Sequence, residues 1–287
     1  MRFITRFAPS PTGYLHLGHA YSAILAVQTA QEVSGLVHLR IEDIDPGRCR
    51  PEYEAAIHED LGWLDLEFDP PCWRQSERMA LYEERLQSLI DQGLVYRCFR
   101  TRKELEKMTS APHGALGAAI SPGPLRAPEE QGLLGKGRPF AWRLDMRRCR
   151  DRLGSVFDEL CWAEDVDGTL KERQVDPDRF GDVVLGRKDS GTSYHLASVH
   201  DDIAQGVTHV IRGEDLADAA GLHRLLYALF DAPPPVYLHH PLITDETGKR
   251  LAKRNKAATL RDIRQQGLSP ADVYARLGLS RPSDPQG

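Results

Sequence analysis

"RFAPSPTGYLHLGHA", residues Arg6 to Ala20, places two prolines, two glycines and two histidines directly after a short apolar run. Phe3 to Phe7 before it reads as a first strand, and Ala20, Ile24, Val27 and Ala30 after it recur at helical spacing. That spacing predicts a helix from Gly18 to Val33 with Gly35 just past its end. "LVHLRIE", Leu36 to Glu42, is rich in branched apolar residues and predicts a second strand. Strand, tight turn, helix, strand is a βαβ unit, so the fold class is α/β with a parallel sheet and ligands at the strands' carboxyl ends.

The quoted turn therefore lies where such sheets hold anions, because the first helical N–H groups lack partners and the helix dipole favours negative charge. It is neither a Walker A loop nor a GxGxxG fingerprint. His16 and His19, three apart, can face one side and donate to phosphate oxygens, and Gly18 between them removes the side chain that would keep a purine off the backbone. The plainer alternative is that these residues cap a helix. A second cationic stretch, "GKRLAKRNK", carries Lys249, Arg250, Lys253, Arg254 and Lys256. It reads either as a solvated or RNA-contacting basic loop or as a loop that neutralises a triphosphate.

The chain has 287 residues and a formal net charge of −5, which excludes gripping nucleic acid through bulk positive charge but not through a local basic patch. No apolar run approaches the roughly 20 residues that span a bilayer, so a cytoplasmic protein with no membrane partner is expected. Cys49, Cys72, Cys98, Cys149 and Cys161 are an odd, scattered set that argues against a disulfide framework and gives no zinc signature. Amphipathic helices are expected over Pro51–Leu61 and Glu77–Gln92. Residues 109–139, loaded with Ala, Gly and Pro, read as an irregular connection. Strand-like pieces follow ("FAWRLDM", "GSVFDELCWA", "GDVVLG"), and α/β character returns at Ser193, with a helix from Gly221 to Phe230 that the prolines at 233–235 end. The expected organisation is a first catalytic half over 1–98, an inserted smaller α+β module over 99–185, a second half over 186–245, and a basic loop with a short helical tail over 246–287.

"RFAPSPTGYLHLGHA", "LRIEDID", "SYHLASVHDD", "HVIRGEDL" and "KRLAKR", in this order, resemble the glutamyl branch of the class I aminoacyl-tRNA synthetases. HLGH is similar to that family's HIGH signature and "RLAKR" to its KMSKS signature. The resemblance implies a Rossmann-type catalytic domain that binds ATP with Mg2+. It implies catalysis by His16, His19 and Lys253, and ATP contacts from Gly18, Arg250 and Arg254 as well. It implies an L-glutamate pocket in which Arg6 and Arg212 meet carboxylates, Glu42 meets the amine, and Ser10 and Tyr194 supply neutral hydrogen bonds. Those residue types suit a substrate with two carboxylates and one ammonium. The plainer alternative for Arg6 and Glu42 is a structural ion pair at the ends of neighbouring strands, and Tyr194, taken without the resemblance, reads equally as a plain core or rim tyrosine. Asp43 and Asp45 either recruit magnesium or serve as helix caps at the end of their strand, and neither is assigned.

Full-length members continue into an anticodon-binding region, which this sequence is not expected to contain. In that it resembles a stand-alone branch that activates glutamate without tRNA and attaches it to queuosine in the anticodon loop of tRNA(Asp), acting as a monomer. That branch commonly carries a zinc site built from a CxC pair, but Cys98 is followed by Phe99 and Arg100, so zinc is not expected. Two further classes stay open: a catalytic core charging the 3′ end of tRNA(Glu), and a non-catalytic RNA-binding relative.

Overall fold

The computed structural model describes residues 2–101, 104–105, 121–243 and 258–281. The first part runs β1 (Ile4–Phe7), α1 (Leu17–Glu32), β2 (Leu36–Ile41), α2 (Pro51–Trp63), β3 (Asp69–Arg74), α3 (Met79–Asp91) and β4 (Val95–Cys98). Then come α4 (Ala127–Gly135), β5 (Ala141–Leu144), α5 (Met146–Leu153), α6 (Ser155–Asp158), β6 (Cys161–Val166), β7 (Thr169–Gln174) and β8 (Val184–Gly186). The chain continues through α7 (Tyr194–Ala204), β9 (His209–Gly213), α8 (Ala217–Leu229) and β10 (Val236–His240), and reaches α9 (Leu260–Gln265) and α10 (Pro270–Arg276).

The opening βαβ unit forms as its residue pattern requires. Ala20, Ala23, Ile24, Ala26, Val27 and Ala30 bury one face of α1, and β1 runs parallel to β2 with Arg6 opposite His38. β3 adds to the other side of β2 in parallel. Its sequence, "DPPCWR", contains two prolines and gives no strand signal; proline is tolerated there because β3 is the edge of its sheet.

β9 and β10 are parallel, with Arg212 opposite His239. β9 lies beside β1: the Thr208 N–H donates to the Ile4 carbonyl at 2.9 Å, and the Ile4 N–H donates to Thr208 Oγ1 at 2.9 Å. β1 therefore has β2 on one flank and β9 on the other, and the chain leaves β1 at a point where neighbouring strands lead away in opposite directions. A crevice at such a switch point is the standard ligand position of open parallel sheets.

The hairpin β6–β7 does not stand apart, because β6 pairs with β10 to give the order β7-β6-β10-β9. β4, β5 and β8 form a separate antiparallel sheet. Two expectations change here. Part of the 109–139 stretch is helical: α4 starts with Pro128 near its N-terminus and Glu129 and Glu130 in its first turn, and buries no residue. Without a buried face it had no apolar periodicity to announce it. Within "GSVFDELCWA", residues Ser155–Asp158 form the short helix α6 and only the part from Cys161 is strand.

The far end of the chain returns to the opening unit. Leu260, Ile263, Val273 and Tyr274 join the core built by α1, β1 and β2. Arg264 reaches Glu59 at 2.7 Å and Asp60 at 3.2 Å on α2. All five cysteines are free thiols. Among the described residues, no helix is long and apolar enough to cross a membrane.

Candidate active site

A cavity of about 510 Å3 opens at the carboxyl ends of β1, β2, β9 and β10. Arg6, Ser10, His16, Gly18 and His19 line it from the first turn, with Glu42 from the end of β2. Tyr194 enters from the start of α7 and Arg212 from β9. These eight positions come together in one place although 206 residues separate the first from the last. The turn is tied to β2 where the Glu42 N–H donates to the Pro9 carbonyl at 3.0 Å.

The two histidines cap the helix, and both rings also line the cavity. His16 is the N-cap of α1: its Nδ1 accepts from the Gly18 N–H at 3.1 Å, and His19 Nδ1 accepts from the His16 N–H at 3.2 Å. Two otherwise orphaned helical donors are thereby satisfied. Because each Nδ1 is the acceptor, each neutral ring carries its proton on Nε2. The ring centroids stand 3.8 Å apart and both rings line the cavity. Gly18 also leaves room for the capping ring: a Cβ at this position would sit 3.1 Å from His16 Cε1, so the imidazole would have to shift.

Arg250, Lys253 and Arg254 lie outside the described residues. The residues flanking that stretch do not. Leu242 and Ile243 line the cavity, and on the far side Thr259 bridges to His16 while the Leu260 N–H donates to the Leu15 carbonyl at 2.8 Å.

Beneath the cavity lies a buried charge network that sequence reasoning missed. Arg40 is fully buried and donates to Asp202 at 2.7 Å, Gln205 at 2.9 Å and Glu42 at 3.2 Å. Arg6 Nε donates to Asp202 at 2.9 Å, so Arg6 and Glu42 are not each other's ion pair: each has a different partner. Asp201, on the same helix, accepts from Tyr82 at 2.7 Å and from Arg78 at 2.8 Å. Burial works against the Asp202 charge, but Arg6 and Arg40 outweigh it and hold the carboxyl below its ordinary range. Glu42 is the opposite case: burial raises its pKa despite Arg40 and Arg6. An incoming ammonium would relieve that burial cost. The signal for Arg40 was available, since an arginine between Leu39 and Ile41 in a strand buried on both faces needs an internal partner.

Arg212 differs from the other arginines. It is 5% exposed, yet Nη1 and Nη2 have no partner, while Nε donates to His239 Nε2 at 3.3 Å. A buried guanidinium edge facing a cavity fits a carboxylate. Burial, with Glu42 next, raises the Tyr194 pKa and keeps its phenol a donor. Asp43 accepts from the Ser76 N–H at 2.8 Å in the short helical turn after β3, and Asp45 accepts from Arg48 at 2.7 Å within its own turn, so both already have protein partners. Among the described residues, no group of three or more His, Cys, Asp or Glu is placed to hold a metal ion.

His195 and His223, 3.1 Å apart, lie behind Tyr194. Burial, helped by Arg212, lowers the His195 pKa to about 4. Its ordinary value is about 6.5, so above that pH neither the folded nor the unfolded chain protonates it. As pH falls from about 6.5 towards 4, only the unfolded chain takes the proton, and stability drops by on the order of 2 kcal/mol. Denaturation midpoints at pH 7 and pH 4.5 measure this, and His195→Gln will flatten part of the slope.

Residues 2–283 match the family described as tRNA synthetases class I (E and Q), catalytic domain. The chain is 45% identical over 280 residues to the glutamyl-Q tRNA(Asp) synthetase of Rhodobacter capsulatus, covering 96% of this chain and 100% of that one. It is 38% identical to the glutamate–tRNA ligase of Aquifex aeolicus, covering 98% of this chain and 58% of the ligase. Among solved structures, a glutamate–tRNA ligase from Elizabethkingia meningosepticum in complex with its amino acid superposes with a TM-score of 0.71 at 28% identity. That match covers 93% of this chain and 54% of the ligase.

Proposed function

The chain belongs to the class I tRNA synthetase (E and Q) catalytic-domain family, as an aminoacyl-tRNA synthetase-like ligase, and from that premise we propose that it activates L-glutamate with ATP in the absence of tRNA and transfers it to queuosine in tRNA(Asp). The observation that carries the amino-acid reading is the pairing, in one cavity, of the unsatisfied Arg212 edge with the buried Glu42 carboxyl. The former suits a carboxylate and the latter an ammonium. The choice of RNA rests on the relatives: those named glutamyl-Q tRNA(Asp) synthetase reach 45% and 42% identity, against 38% for the glutamate–tRNA ligase of A. aeolicus.

In the proposed reaction an oxygen of the glutamate α-carboxylate attacks the α-phosphorus of ATP. The bond from that phosphorus to the bridging oxygen breaks, and pyrophosphate leaves with the electron pair. No protein nucleophile or base is needed, since the carboxylate is already ionised. Catalysis is positioning plus electrostatics. Arg6, Ser10, Glu42, Tyr194 and Arg212 would orient glutamate. The Nε2–H groups of His16 and His19 would meet the phosphoryl oxygens across Gly18. Lys253, with Arg250 and Arg254, would follow the pyrophosphate. Magnesium would arrive on the phosphates of ATP, and no protein ligand is assigned to it. A hydroxyl of the RNA would then attack the carbonyl carbon of the adenylate; the bond from that carbon to the phosphate oxygen breaks, AMP leaves with the electron pair, and the hydroxyl proton passes to solvent.

The test is charging of tRNA(Asp) prepared with and without queuosine, beside tRNA(Glu). Labelled glutamate on queuosine-containing tRNA(Asp) alone is the expected result; acceptance by tRNA(Glu), or by tRNA(Asp) lacking queuosine, overturns the RNA assignment. Glutamate-dependent ATP–pyrophosphate exchange without RNA tests the activation step separately. Lys253→Ala should slow that exchange by about 100-fold or more, in line with the loss of one transition-state donor. An unchanged rate would remove Lys253 from the mechanism.

A further inference from the structure

We infer that His239 and Glu164 are a positioning pair that sets the plane of the Arg212 guanidinium for the substrate carboxylate, an inference that rests on the glutamate reading of the cavity. Among the described residues, the Arg212 guanidinium makes one hydrogen bond to the protein, from Nε to His239 Nε2 at 3.3 Å, and its two terminal nitrogens are buried without partners. A guanidinium is planar, so fixing Nε and the ring face beneath it fixes where Nη1 and Nη2 point. The face is supplied by Tyr237, whose ring centre lies 5.0 Å from the guanidinium carbon.

His239 is itself held. Its Nδ1 lies 2.8 Å from Glu164 Oε1, and the other oxygen of Glu164 accepts from Arg173 at 2.6 Å. Because His239 Nε2 is the acceptor for Arg212, its ring proton is on Nδ1 and is donated to Glu164. The imidazole is stacked on Tyr237 at 11° and meets the edge of Trp162 at 5.5 Å. Glu164 stands on β6, the strand that the intervening segment lends to the main sheet beside β10. The hairpin thus reaches the cavity through three side chains without lining it: Glu164 orients His239, and His239 orients Arg212. Neither touches substrate in this scheme, so both are positioning residues.

The test is steady-state exchange kinetics of the full chain with glutamate and ATP. His239→Ala is expected to raise KM for glutamate about tenfold or more while kcat stays within about threefold and KM for ATP does not move. His239→Gln, whose amide can accept from Arg212 and donate to Glu164, is expected to restore KM to within about threefold of the parent. A KM for glutamate within twofold of the parent in His239→Ala overturns the inference, as does an equal defect in His239→Gln. If His239→Ala does not fold, Glu164→Ala carries the test: a several-fold rise in KM for glutamate supports the pair and an unchanged KM overturns it. A parent enzyme with no glutamate-dependent exchange overturns the activity itself, which separates that failure from a failure of the positioning pair.

Discussion

Arg212→Ala will lower kcat/KM for glutamate in ATP–pyrophosphate exchange by a factor on the order of a thousand. Two charge-assisted hydrogen bonds to one carboxylate are lost, each worth about 1.5–3 kcal/mol, and the substrate charge is left buried beside Glu42 without a counter-charge. Arg212→Lys will recover only part of the loss, because an ammonium cannot reproduce a planar two-point contact. Direct measurement of kcat/KM for glutamate, with KM for ATP as the internal control, decides the matter. A loss under tenfold would mean that Nη1 and Nη2, which have no protein partner, do not meet the substrate.

Asp202→Ala will cost about 3–5 kcal/mol of folding stability. Asp202 accepts from Arg6 at 2.9 Å and from Arg40 at 2.7 Å, so its removal takes the buried Arg6 guanidinium's ion-pair partner and leaves Arg40 with Glu42 and Gln205 alone. Against a total stability of about 5–15 kcal/mol for an ordinary domain, that is a severe loss. Denaturant unfolding gives the number, and a shift below about 1 kcal/mol would show that water reaches Arg40 and replaces the carboxylate.

The opening βαβ unit was legible because each of its signals is local: short runs of branched apolar residues, helical spacing and a glycine stop within 40 residues. The cavity-lining residues from the first turn were legible for the same reason. Arg40 and Asp202 were not, although both stand inside quoted motifs, because 162 residues separate them and neither has a meaning without the other. His239 and Glu164 were missed for a similar cause, since the hairpin that carries Glu164 had no sequence signal for joining the main sheet. β3 escaped because two prolines conceal an edge strand, and α4 because a helix with no buried face leaves no periodic trace.

The first turn of α1 has one further consequence. The nitrogen atoms that seal the helix are the same ones that decide which side of each imidazole carries hydrogen. Helix closure and ligand presentation are thus decided by one choice: with Nδ1 spent on the backbone, it is the opposite edge of each imidazole that is left to turn towards the cavity.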